Sequence, residues 1–92
     1  MSENSKLLVR AAKMLDLPSD AFASLAHIEI CGTNQVFIEN HKGILEYTDS
    51  DIALNLGAHI LKIEGHNLEV SSMDELGLRL SGDVTLLRFD PV

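Results

Sequence analysis

The chain has little of several things, and each shortage excludes something. Among 92 residues there is one cysteine, no tryptophan and two prolines. A single Cys31 cannot form an internal disulfide, so a reducing cytoplasm is the expected compartment. No apolar run approaches the roughly 20 residues needed to cross a bilayer as a helix. The N-terminus lacks the basic head, apolar stretch and small-residue cleavage site of a signal peptide. These absences predict a soluble cytoplasmic protein. Its 46% hydrophobic content is enough for one packed domain and argues against wholesale disorder.

Basic residues are also scarce, seven against fourteen acidic ones. Residues 1–18 hold three basic and two acidic side chains, a net of +1, whereas residues 19–92 hold four and twelve, a net of −8. Such a surface repels phosphate backbones. With only Phe22, Phe37, Tyr47 and Phe89 as aromatics, it also lacks an interleaved stacking platform. Nucleic acid is therefore not an expected partner. A basic protein surface or a bridging cation is more compatible.

What is present divides the chain in two. Leu7, Leu8, Ala11, Met14 and Leu15 recur at helical spacing, with Lys6, Arg10 and Lys13 on the other side. The spacing predicts an amphipathic helix within residues 1–18, capped at Asn4 or Ser5 and stopped by Pro18. It could pack on the rest of the chain, dock on a partner, or make a peripheral membrane contact. Three basic residues make only a weak electrostatic anchor.

Residues 19–92 change period to two. Apolar positions alternate through 27–31, 52–56, 61–64, 68–70, 78–80 and 84–86. With the two strands around residues 35–48, that predicts about eight short strands. A motif of two alternating apolar residues, glycine, then two more recurs at Gly32, Gly65 and Gly82. Glycines 33 and then 17 residues apart suit either a meander in two sheets or a short β-solenoid with glycine corners. Solenoids need several stacked coils, and this chain has few. The expected fold class is all-β: a two-layer antiparallel β-sandwich preceded by the helix.

Gln35–Thr48, QVFIENHKGILEYT, carries the clearest local signal. Two β-rich runs flank Asn40-His41-Lys42-Gly43, which reads as a hairpin whose Gly43 takes φ > 0 and whose Asn40 bonds the loop backbone. Gly65 and Gly82 are expected to be turns of the same kind.

The same stretch, with its neighbours, resembles the YabP/YqfC family of sporulation proteins, closer to the YqfC type. The resemblance rests on Leu17-Pro18, Ile30-Cys31-Gly32, Ile38-Glu39-Asn40-His41 with Gly43, Glu46-Tyr47, Gly65 with Leu68, and Gly82. It spans residues 17 to 89. It implies an immunoglobulin-like sandwich and no catalytic residue.

No constellation for chemistry emerges from the residues themselves. His27, His41, His59 and His66 show no tight ligand spacing, so turn or surface histidines are the plainer reading than a metal site. Cys31 and His27, four apart on one strand, lie about 13 Å apart, too far for a nucleophile and its base. Glu39, Glu46, Asp49 and Asp51 cluster around the hairpin without a calcium-loop ligand ladder. No phosphate-binding loop or nucleophile elbow is present. No enzyme, cofactor or metal is expected.

Two function classes follow. The resemblance implies a non-enzymatic sporulation protein of the mother cell, at or near the forespore surface, acting in spore development or coat assembly through protein contacts. The candidate patch is Glu39, His41, Lys42, Glu46 and Tyr47, with hairpin geometry alone as the competing explanation. Open strand edges would also permit a homo-oligomer. The alternative is a small ligand- or metal-binding β domain with a general cellular role.

Overall fold

The computed structural model describes residues 25–92, and the expected N-terminal helix of residues 1–18 lies outside them. Six strands follow in order: β1 (His27–Cys31), β2 (Gln35–Glu39), β3 (Ile44–Tyr47), β4 (Asp51–Asn55), β5 (His59–Met73) and β6 (Leu78–Pro91). They form one antiparallel sheet with the order β1-β2-β6-β5-β4-β3. The described region is therefore all-β, as the alternation predicts. It differs from the expected eight-stranded, two-layer immunoglobulin-like sandwich in being a single continuous sheet of six strands.

The difference has two physical causes. Ile63–Leu68 does not turn the chain, and neither does the stretch around Gly82. Both glycines sit inside long strands that stay paired along their length, with bulges at Glu64/Gly65, His66/Glu69 and Val70/Ser72. A bulge bends and twists a strand without ending it. Four expected short strands thus become two long ones. Nor do β2 and β3 form a hairpin. β2 pairs with β1 and β6, while β3 pairs with β4 at the far edge of the sheet.

That crossover forces the sheet to curl. In a flat sheet β2 and β3 would lie four strand spacings apart, roughly 19 Å. The five steps from Glu39 to Ile44 reach roughly 18 Å even when fully extended, so the two ends of the sheet must fold toward each other. The bend falls where the long strands carry glycine. A Cβ on Gly65 would stand 2.0 Å from the Asp83 carbonyl oxygen, and one on Gly82 (φ +128°) 2.5 Å from the Asn67 carbonyl oxygen. Only glycine lets the two backbones pass this closely. Each short hairpin then rests its turn on a bend. Gly82 and Val84 donate their N–H groups to the Asn34 and Thr33 carbonyls at 3.2 and 2.9 Å. Gly65 and Leu68 donate theirs to Ser50 and Asp49 at 3.0 and 2.8 Å.

The core lies inside the curl. Its members come as cross-strand pairs, Val36 with Leu80 and Ile38 with Leu78 at one end, Ile52 with Ile63 and Leu54 with Leu61 at the other. Both sets, together with Leu68, form one cluster. No polar or charged side chain among the described residues is buried there.

Candidate interaction surface

The stretch from Ile38 to Tyr47 begins in the core and ends at an edge strand. Ile38 is fully buried. Asn40 turns the chain with φ +62°, and its side-chain amide donates to the Leu25 carbonyl at 3.0 Å. Within the loop, His41 Nδ1 accepts the Gly43 N–H at 3.1 Å. Gly43 has φ +134°, the conformation expected of it, although the connection is a crossover and not a hairpin. The Lys42 N–H and the Gly43 carbonyl then bond to Asn55, at 2.6 and 2.9 Å, which delivers β3 to the edge of β4.

On β3 a register shift between Ile44 and Glu46 makes Leu45 the extra residue of a bulge. Glu46 and Tyr47 consequently point to opposite faces. Tyr47 Oη accepts the Val70 N–H at 2.9 Å, a bond between the edge strand β3 and the far arm of β5. This hydroxyl fastens the two ends of the curled sheet. Replacing Tyr47 with phenylalanine is expected to cost about 1 kcal/mol, the net worth of one hydrogen bond. Urea denaturation would measure it, and an unchanged midpoint would show that the fastening carries no stability.

Glu46 belongs to a charged outer face assembled from β3, β4, β5 and β6. Lys62 forms an ion pair with Glu46 and lies 3.7 Å from Asp51. Arg88 lies 3.3 Å from Glu64 and 2.9 Å from Asp90. The hydrogen bond to Glu46, above all, raises the Lys62 pKa above its ordinary 10.5, and the bond to Asp90 does the same for Arg88. A raised folded-state lysine value adds stability that is fully present below the ordinary value. It is lost only as pH climbs through the raised one. This face therefore keeps its charge pairing across the neutral range. Around the other end, Arg79 stacks over the Phe37 ring at 5.2 Å.

The five sequence-predicted patch residues are thus distributed rather than gathered. His41 closes the crossover, Tyr47 fastens the far arm, and Glu46 holds Lys62. Glu39 and Lys42 are left with side chains that make no hydrogen bond or ion pair among the described residues. Their backbones lie at either end of a short exposed crossover. Reasoning from the sequence missed the Lys62 and Arg88 pairs, because partners separated by 16 and 24 positions become visible only once strand register is known.

The remaining candidates for chemistry stay apart. His27 and exposed Cys31 sit at opposite ends of β1, His59 opens β5, and His66 lies at its bend. No group of three His, Cys, Asp or Glu side chains able to hold a metal ion occurs among the described residues. No helix among them is long and apolar enough to cross a membrane.

Comparison with known proteins agrees with the family resemblance of the sequence. The family model described as the YabP family matches residues 23–92. An uncharacterised protein, YqfC of Bacillus subtilis (strain 168), is 26% identical over 77 residues, covering 84% of this chain and 83% of the relative. No solved structure matches the chain. With the match extending over all the described strands, this chain belongs to the YabP family.

Proposed function

We propose that this chain is a non-enzymatic sporulation protein, working in spore development or coat assembly through contacts with other proteins. The observation that carries this reading is family membership across the whole sheet, which ties the chain to a sporulation-related role. The physical means are a charged outer face and strand edges that no other strand covers among the described residues, both of which suit association with another chain. Within the patch, Glu39 and Lys42 at the crossover are the side chains available for a partner. The expected place of action is the mother cell, at the forespore surface.

A fluorescent fusion followed through sporulation in the native host tests the proposal. The expected signal is absent from vegetative cells, rises after the asymmetric septum forms and gathers around the forespore. Uniform signal throughout vegetative growth would count against it. Reversing both charges, Glu39→Lys with Lys42→Glu, should then remove the localised signal while leaving the melting curve unchanged. If localisation survives, the crossover is not the contact surface.

A further inference from the structure

We propose that a second copy of this chain pairs with the free edge of β6, through residues Leu86 to Pro91, in a two-fold antiparallel arrangement centred on Phe89. This inference does not depend on the role in sporulation.

Among the described residues the edge is open because the sheet curls. β2 covers β6 only from Leu78 to Ser81, and the last contact on that side is the bond from the Val84 N–H to Thr33. Beyond it, Leu86 to Pro91 run in unbroken register with Glu64 to His59 of β5, and have no strand on the other side among the described residues. Of the other edges, outer strand β1 is regular but only five residues long, and the remaining two are interrupted. β3 is short, bulged and tied down by Tyr47, and the far arm of β5 carries its own bulge and receives the Tyr47 hydroxyl at Val70. Short, bulged edges resist pairing, whereas a regular one invites it.

The side chains specify what fits. Phe89 lies opposite fully buried Leu61, on the core-facing side of the sheet, yet is 56% exposed, with no strand among the described residues over that end. Arg88 and Asp90 flank it on the other face. A contact between identical edges is isologous, so β6 must meet itself antiparallel about one residue. Centring on Arg88 would oppose two guanidinium groups. Centring on Leu87 would set Arg88 against Leu86. Centring on Phe89 places each Arg88 opposite Asp90 of the second copy, twice over, and the two Phe89 rings opposite each other on the apolar face. Cross-strand partners of these kinds are the favourable ones. Arg88 already holds Asp90 of its own strand through Nε, and the fork's remaining donors can reach across.

Sedimentation equilibrium of the full chain tests this with charge exchange. Wild type is expected to be a dimer. Arg88→Glu and Asp90→Lys each replace two attractive pairs with repulsive ones, which should weaken self-association on the order of tenfold or more. Mixed in equal amounts, the two variants restore both attractive pairs and should re-form a dimer. Arg88 is exposed and Asp90 partly so, and neither belongs to the core, so thermal melts of the variants should show an intact fold. A wild-type chain that stays monomeric at its solubility limit overturns the proposal and leaves the edge to a different partner. So does a dimer that each single variant retains, or a mixture that fails to recover.

Discussion

Alanine at Gly65 is expected to remove a large share of the stability of the folded sheet, although it adds a single methyl group. The new Cβ would stand 2.0 Å from the Asp83 carbonyl oxygen and 3.0 Å from its carbon, both main-chain atoms that no rotamer change can move aside. Relief requires β5 and β6 to separate at their bend. That in turn pulls the Gly65 and Leu68 N–H groups away from Ser50 and Asp49. Overpacking a rigid site costs about 1–3 kcal/mol, and the strained hydrogen bonds add to it. A total near 3 kcal/mol would lower the melting temperature of a domain this size by roughly 15 °C. Gly43→Val is the informative comparison. A Cβ there meets nothing within 4 Å, so only the φ of +134° opposes it, a strain of about 1–3 kcal/mol. The smaller side chain should therefore do at least as much damage as the larger. A Gly65→Ala protein melting within a degree of wild type would show that the two backbones do not approach as described.

The second large effect is expected at either end of the core. Ile38→Asp and Leu54→Asp each place a carboxylate at a fully buried position with no polar neighbour inside the cluster. An uncompensated buried charge exceeds the stability of an ordinary domain, about 5–15 kcal/mol, or forces the site open. Both variants should lose the dispersed amide spectrum of a folded protein. The two positions belong to opposite ends of the curled sheet, Ile38 on β2 and Leu54 on β4. Because both ends belong to one core cluster, Ile38→Asp should melt β4 along with β2. Persisting hydrogen-exchange protection at Ile52 to Leu54 in that variant would mean two independent cores. Ile38→Val, which removes one methylene, should cost only about 0.5–1.5 kcal/mol and stay folded.

Much of this was legible in the residues alone. Period-two alternation, with the two β-rich runs around residues 35–48, located all six strands, since a half-buried strand must alternate whatever its neighbours are. The family was legible too, through a string, Ile38-Glu39-Asn40-His41 with Gly43, Glu46 and Tyr47, that no general turn rule requires. The positive φ of Gly43 followed from the same local steric argument. Local chemistry decides these features, and local sequence contains it.

The tertiary structure decided the rest. The same apolar-x-apolar-x-glycine pattern occurs at Gly32, Gly65 and Gly82, yet the first reverses the chain and the other two merely bend it. Nothing within each pattern distinguishes them. What does is whether the strand beyond the glycine keeps its hydrogen-bonding partner, and for β5 and β6 that partner is the other long strand. In the same way, β2 and β3 are neighbours in sequence but not in the sheet. Each finds a longer apolar pairing elsewhere, β2 against Leu78 and Leu80, and β3 against Ile52 and Leu54. Tyr47 shows the same division. Its place on a strand was readable from the β-rich run that follows Gly43, whereas its hold on Val70, 23 positions away, exists only because the sheet closes on itself. Alternation says which face of a strand is buried, and the global fold alone says against what.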